Sequence, residues 1–337
     1  VTAEFGTAAP SMDSRVPPKS VVVEMLDELE LVVARTRMLC ADVREIVLSD
    51  PSGATLPSFP AGSHIAVEWS PGQRNSYSLT GPSVEPEWYS ISVRLDPAGR
   101  GGSRWAHELR VGDTVRVSPP RSEFAPVATA RHHLLLAGGI GVTPILSHVR
   151  AAVLWGRSFE VVYAHRPGAA PHLDEMSALC GDRLTVAESR ERFWENVTPA
   201  LARSPLGTHL YVCGPASMVD AVTAAATGAG WPSGRVHSEP FAAGAVTGGT
   251  AFTARLARSG AELAVASDIS LLDALREHGA QVPSLCRRGV CGECRLTVRG
   301  GPVDHRDSYL TDDERDLGDS IMACVSRAAA THLELDL

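Results

Sequence analysis

The sequence predicts three units in series: a closed antiparallel β-barrel, an α/β unit on a parallel sheet, and a small α+β unit around a cysteine loop. Three observations carry this. Short apolar or alternating runs parted by Pro/Gly turns fill the first third, and strands alternate with helical stretches in the middle. Near the end stands Cys286-x4-Cys291-x2-Cys294, with Cys324 beyond it. A chain of 337 residues is too long for one small domain, and 44% hydrophobic residues suffice for several cores.

Residues 1–30 begin rich in Pro, Ser, Ala and Gly and are expected to form a flexible tail or extension. From 31 to 125, Glu45–Leu48, His64–Val67 and Tyr89–Val93 read as strands, separated by turn sequences such as Asp50-Pro-Ser-Gly53 and Pro71-Gly72. Frequent short strands of this kind close into a barrel. From 126 to 240, His133–Ala137, Phe159–Tyr163 and His209–Cys213 read as strands, with helices over Thr143–Leu154 and Leu173–Leu179 between them. That alternation means a parallel sheet with helices on its faces. The glycine-rich segment 241–250 reads as a linker. In 251–337 a hairpin turns at Ser259-Gly260, and a helix starts at Ser270, where Asp273 replaces the usual Glu or Gln of a capping box, and stops at Gly279.

The net charge of −8 argues against a nucleic-acid surface and is compatible with a partner that has a basic face. No apolar run reaches transmembrane length, and Val1 to Ser20 lacks the apolar centre of a signal peptide. Of seven cysteines, Cys40, Cys180 and Cys213 lie far apart outside the loop motif, which fits a reducing cytoplasm.

The cysteine spacing is that of a plant-type [2Fe–2S] site, with Cys286, Cys291, Cys294 and Cys324 as candidate ligands. Three thiolates come from one tight loop and the fourth from a segment folded back beside it. Gly289 and Gly292 suit such a loop because glycine turns freely through positive φ. A zinc site would favour two Cys-x2-Cys pairs, and the sequence has one. Upstream, Arg74-Asn-Ser-Tyr77-Ser78-Leu79-Thr80 reads as a strand with Tyr77 and Leu79 on one face and Ser76, Ser78 and Thr80 on the other. An aromatic edge beside hydroxyls is what a flavin ring needs; an ordinary half-buried strand looks the same. Gly99-Arg-Gly101-Gly102-Ser103 feeds a helix start and offers free N–H groups to a phosphate, or is a plain surface turn. Gly138-Gly139-Ile-Gly141-Val-Thr143-Pro144 follows a strand, with Thr143 the expected N-cap and Pro144 the first helical residue. It departs from Gly-x-Gly-x-x-Gly, so it is a variant nucleotide turn or simply a tight βα connection. Cys213-Gly214-Pro215 lies at a strand's carboxyl end, where open parallel sheets bind ligands.

Taken in this order, with Trp231-Pro-Ser-Gly234, Val236-His-Ser-Glu239-Pro-Phe241, Val303-Asp-His-Arg-Asp307 and Cys324-Val-Ser-Arg327, the motifs resemble the phthalate dioxygenase reductase family from Leu31 to Leu337. The resemblance implies a Greek-key barrel that binds FMN, an α/β domain that binds NADH (NADPH being the alternative), and a β-grasp ferredoxin domain that carries the cluster. It places Arg74, Tyr77, Ser78, Leu79 and Val93 at the flavin ring and Gly101, Gly102 and Ser103 at its phosphate. Gly139, Gly141, Thr143, Pro144, Cys213, Gly214 and Pro215 fall to the nicotinamide nucleotide, with Cys213, Glu239 and Phe241 nearest the chemistry.

Three positions depart from the family pattern. Asn75 stands where the family has Arg, two residues before the tyrosine. Arg287-Arg288 follows the first cluster cysteine and is expected to meet an acidic patch on a partner. Ala164-His165-Arg166-Pro167 offers no carboxylate for a ribose 2′-hydroxyl, while Arg166 could accept a 2′-phosphate. The function implied is a monomeric reductase that passes electrons from NADH through FMN and the cluster to a Rieske-type oxygenase or demethylase. Alternatives are a reductase serving, or fused to, a haem–thiolate monooxygenase, and a flavin/iron–sulfur redox sensor with little turnover.

Overall fold

The computed structural model describes residues 28–337 except 72, 100, 242–248, 285, 286, 288, 290, 291 and 308. Most of the expected tail and linker therefore lies outside the described residues. Leu29 and Glu30, expected in the tail, already pair with Val117 and Arg116.

The barrel strands are β1 (Leu29–Cys40), β2 (Val43–Ser49), β3 (His64–Ser70), β4 (Gln73–Ser78), β5 (Trp88–Arg94) and β6 (Thr114–Val117), with a short helix α1 (Gly102–Glu108) before the last. Their order is β4-β3-β6-β1-β2-β5, all antiparallel, and an isolated bridge between Leu79 and Ile91 joins the two ends. Alternation turns Leu31, Val33, Ile46, Leu48, Ile65, Val67, Ile91 and Val93 inward to one core.

The second sheet holds β7 (His132–Gly138), β8 (Phe159–Ala164), β9 (Leu184–Ala187), β10 (Thr208–Gly214) and β11 (Val236–Pro240), ordered β11-β10-β7-β8-β9 and entirely parallel. Its helices are α2 (Val142–Leu154), α3 (Leu173–Cys180), α4 (Arg190–Arg203) and α5 (Ala216–Gly228). On β7, Leu135 and Ala137 pack with Ile145 of α2 and Met176 of α3, while Leu134 and Leu136 pack with Phe193 of α4 and Val219 of α5. The near-continuous apolar run is the mark of a strand covered on both faces.

The third unit comprises β12 (Phe252–Leu256), β13 (Glu262–Val265), α6 (Leu271–Glu277), β14 (Arg295–Gly300), β15 (Val303–Asp304), α7 (Asp312–Leu317), β16 (Ser320–Met322), β17 (Arg327–Ala328) and β18 (His332–Leu335). Its main sheet is mixed, ordered β13-β12-β18-β14-β16, with β12 and β18 parallel. Ser270 caps α6 by accepting from the Asp273 N–H at 3.0 Å. Asp is shorter than Glu, and the Asp273 carboxylate bonds the Ser270 hydroxyl at 2.7 Å. A reciprocal capping box forms instead at Thr311 and Glu314 of α7.

Candidate functional site

A cleft of about 900 Å³ runs between the barrel and the carboxyl ends of the parallel strands. This is where an open parallel sheet places its ligands, and the size suits a cofactor pair. The barrel wall includes Asn75, Ser76, Tyr77 and Ser78 of β4, Ser92 and Arg94 of β5, Trp69, and Gly102 and Ser103 at the start of α1. The opposite wall includes Gly138, Gly139, Ala164, His165, Arg166, Gly214, Pro215, Glu239 and Phe241, with Trp194 and Arg190 at the α4 end. Arg287 of the cysteine loop also lines it, so all three units meet here.

Of the residues expected at the site, Tyr77, Ser78, Gly102, Ser103, Gly139, Gly214, Pro215, Glu239 and Phe241 line the cleft. Others stand elsewhere. Arg74 turns along the barrel wall to pair with Glu28 and Glu68, and Asn75 faces the cleft in its place, its amide 3.2 Å from the Tyr77 hydroxyl. Leu79 and Val93 are buried in the barrel core at 0% and 1% exposure. Gly101 serves as the residue before α1, at φ 109°. Gly141 is packed beneath β10, where an added Cβ would lie 2.3 Å from the Cys213 carbonyl oxygen. Cys213 itself is fully buried in the core under α2.

The helix after the glycine turn begins at Val142 with Gly141 before it, so Thr143 is not its cap. Its hydroxyl donates back to the Ile140 carbonyl at 3.0 Å. Pro144 falls third in the helix, still in the first turn, where a missing N–H costs no intrahelical bond.

Local chemistry explains the shape of the barrel wall. A Cβ on Gly102 would sit 2.3 Å from Asn75 Nδ2 and 2.9 Å from Trp69 Nε1, so only glycine lets α1 begin that close to β4. The Ser103 hydroxyl accepts from the Asp96 N–H at 3.0 Å and fixes the approach to the helix. Trp69 Nε1 and Ser76 Oγ are buried without a hydrogen-bond partner among the described residues, as is His165 Nε2 on the opposite wall. Buried polar atoms left this way are costly unless a ligand satisfies them. Burial pushes the Tyr77 phenol pKa up against the opposing Asn75 bond, so the ring stays neutral.

Cys286 and Cys291 lie outside the described residues. Cys294 and Cys324 are buried, and the antiparallel pairing of Arg295 with Met322 brings the fourth cysteine back beside the third. The Ala323 N–H donates to the Cys294 carbonyl at 3.2 Å. Gly289 and Gly292 adopt φ 72° and 77°, with Val325 and the Tyr309 ring filling the space a side chain would need. Asp307 accepts from the Leu310 N–H and the Ser326 hydroxyl; burial alone would raise its pKa, but these bonds hold it below the ordinary carboxylate range. Arg327 is 1% exposed and donates to the carbonyls of Ile269, Ala266 and Thr250, a structural role.

The Arg287 guanidinium pairs with Asp273 at 2.8 Å, is 18% exposed, and lines the cleft; Arg288 lies outside the described residues. Arg121 and Glu293 form an ion pair between barrel and cysteine loop, at 3.1 Å. Trp69, Ser92, His172 and Trp194 had no site assignment from sequence, whereas Ser76 was on the hydroxyl face of the strand offered to the flavin; the Pro71-Gly72 turn signal lies between Trp69 and Asn75.

Residues 113–236 match a protein-family model described as dimethylamine monooxygenase subunit DmmA-like, N-terminal domain. Residues 254–329 match the 2Fe-2S iron-sulfur cluster binding domain. The chain is 42% identical to the heme-dependent oxidative N-demethylase beta subunit of Ectopseudomonas mendocina (strain ymp), over 92% of this chain and 99% of that protein. It is 38% identical to the phthalate dioxygenase reductase of Burkholderia cepacia, over 92% and 97%. A solved structure of phthalate dioxygenase reductase superposes with a TM-score of 0.74 at 37% identity, covering 92% of this chain and 98% of that one.

Proposed function

The chain belongs to the phthalate dioxygenase reductase family, and from that premise we propose that it carries electrons from NADH through FMN and a [2Fe–2S] cluster to a Rieske-type oxygenase or demethylase. It is an oxidoreductase of the kind that serves multicomponent oxygenases. The observation that carries the reading is the position of the cleft, bounded by the Tyr77–Ser78 strand, the carboxyl ends of the parallel strands and Arg287.

The residues present fit these groups. Trp69 Nε1 and Ser76 Oγ are donors on the wall assigned to the flavin with no partner among the described residues, and His165 Nε2, an acceptor because Nδ1 donates to the Arg166 carbonyl, is likewise unpartnered on the wall assigned to the dinucleotide. When bound, FMN accepts two electrons as hydride from NADH and releases them singly to a one-electron acceptor. Tyr77 supplies an aromatic face, Ser78 and Ser76 supply hydroxyls, and the first N–H groups of α1 face a phosphate. Glu239 and Phe241 close the nicotinamide end, and Gly139 lets the dinucleotide lie against the backbone. Arg166 and Arg190 line the far end with Glu188, so NADPH is the alternative donor. Cys286, Cys291, Cys294 and Cys324 hold the cluster. A thiolate cluster suits a reducing cytoplasm, and the unit is expected to work as a monomer; no helix among the described residues is long and apolar enough to cross a membrane.

The second reading gives the acceptor a haem, and it is favoured by the 42% identity to the subunit of a heme-dependent oxidative N-demethylase. Anaerobic titration with NADH, and in parallel with NADPH, should bleach the flavin and then produce the EPR signal of a reduced cluster. A bleached flavin beside a cluster that stays oxidised would sink the pathway. Reduction of a purified haem oxygenase, with no reduction of a Rieske protein, would replace the first acceptor with the second. Sluggish cytochrome c reduction by fully loaded protein would instead favour a redox sensor.

A further inference from the structure

His172 stands at the seam between the parallel-sheet unit and the barrel. It precedes α3 with φ 60° and ψ 15°, a left-handed conformation unfavourable to a residue with a side chain. It is nevertheless 6% exposed and held from both sides. Its Nε2 lies 2.8 Å from the Ser92 hydroxyl of β5, and its Nδ1 lies 3.1 Å from the Glu175 carboxylate in the first turn of α3. Arg150 of α2 holds the other oxygen of Glu175. Burial alone would raise the Glu175 pKa, but His172 and Arg150 keep it below the ordinary carboxylate range.

Ser92 is 5% exposed and lines the cleft. The antiparallel bridge from Leu79 to Ile91 places it opposite Ser78, one step along each strand. One end of the Ser92–His172–Glu175 chain therefore touches the flavin wall, and the other is anchored in the helices behind the nucleotide wall. An apolar seam can slide and repack, whereas a buried hydrogen-bonded seam has one register. Shifting it would orphan the Ser92 hydroxyl and His172 Nε2 together, each at the cost of desolvation, while Glu175, paired with Arg150, keeps the His172 ring in place. A backbone conformation this unfavourable persists where surrounding contacts over-determine it. A second bond crosses the seam, from the Gly62 N–H to Ser147 Oγ at 3.2 Å, but Ser147 is not part of the cleft wall.

We propose that Ser92, His172 and Glu175 form a positioning latch that sets the nucleotide wall against the flavin wall at hydride-transfer distance. The proposal rests on the reading of the cleft given above and adds to it the device that fixes its width. The three side chains transfer no atom themselves.

The test uses the full-length, flavin-loaded protein in stopped-flow reduction by NADH. Ser92→Ala and His172→Ala should each lower the limiting rate of flavin reduction by about 10- to 100-fold, the scale of a displacement near 1 Å. The NADH concentration for half-maximal rate should stay within about twofold. The long-wavelength charge-transfer absorbance that forms on mixing should weaken in the same variants. The double variant should be no slower than the slower single, because one contact is removed twice. Ser92→Thr, which keeps the hydroxyl, should recover most of the rate. If His172→Ala does not fold, Ser92→Ala and Ser92→Thr carry the test. A limiting rate within about twofold of the parent, multiplicative effects in the double variant, or an undiminished charge-transfer band would overturn the latch. A parent protein that retains no flavin would defeat the cofactor reading instead, so the two failures are distinguishable.

Discussion

His148 makes the parallel-sheet unit sensitive to acid in a way the structure quantifies. The residue sits in α2, 3% exposed, with its ring 4.7 Å from Tyr211 and 5.1 Å from Phe124. Its Nε2–H donates to the Phe124 carbonyl at 2.7 Å, and Nδ1 is buried without a partner among the described residues. His133 of β7 and His237 of β11 face the same tyrosine, so a proton on His148 would meet other imidazoles and no carboxylate among its described contacts. Burial, with those neighbours, pushes its pKa down to about 3.

The unfolded chain binds this proton near pH 6.5 and the folded chain does not, so stability is fully present above about 6.5 and falls as pH drops below it. The loss is roughly 1 kcal/mol or a little more per pH unit, hence about 2 kcal/mol at pH 5 and about 3 kcal/mol at pH 4. Against a typical domain stability of about 5–15 kcal/mol, that is a large fraction. His148→Gln keeps an N–H for the Phe124 carbonyl and cannot take up the proton. It should cost about 1–2 kcal/mol at pH 7.5 through lost ring packing. Between pH 7.5 and 5, however, the variant should lose about 2 kcal/mol less than the parent. Urea titrations followed by tryptophan fluorescence suit the measurement, because the six tryptophans lie at 69, 88, 105, 155, 194 and 231, outside the cluster-bearing segment. Parent and variant curves that fall in parallel with acid would refute the assignment.

Other consequences are open to direct test. Flavin released by acid should run as FMN, since the short glycine turn before α1 suits a terminal monophosphate; recovery of FAD would refute it. Ser103→Asp should loosen the flavin, because a carboxylate would face that phosphate, and unchanged retention on ultrafiltration would place the phosphate elsewhere. Arg287→Glu should set two carboxylates together where Arg287 and Asp273 now pair at 2.8 Å. The cluster should then bleach faster on standing than in the parent protein, and an unchanged bleaching rate would refute the role given to this pair. Arg327→Met should lower the stability of the third unit by about 2–4 kcal/mol by orphaning buried carbonyls, read as earlier loss of cluster absorbance in urea.

What could be read from the sequence was what spacing alone encodes. The three loop cysteines, the positive-φ glycines between them and the strand–glycine–helix turn each depend on residues close in the chain, so their geometry is nearly fixed by order, whereas Cys324 returns through the pairing of Arg295 with Met322. Alternation held on β4, where Tyr77 and Leu79 face the barrel core, but which residues reach the cleft is a tertiary matter. That strand ends the sheet order and is bridged to β5 at Leu79, so Asn75, Ser76, Tyr77 and Ser78 all reach the cleft, whichever way they point relative to the core. Arg74 was drawn away by Glu28 and Glu68, and Glu28 is remote in sequence. Arg287 was drawn inward by Asp273.

The Ser92–His172 contact shows the limit most sharply. Its partners are separated by 80 residues and sit in different units, a serine within an ordinary strand and a histidine before an ordinary helix. Neither carries a local signal, because the contact exists only once two independently folded surfaces meet. The cofactor-binding motifs are written within each unit, but the distance between cofactors is set by side chains that meet across units. Residues that fix that distance can change without disturbing any motif, and such changes should alter the rate of hydride transfer before they alter the binding of either cofactor.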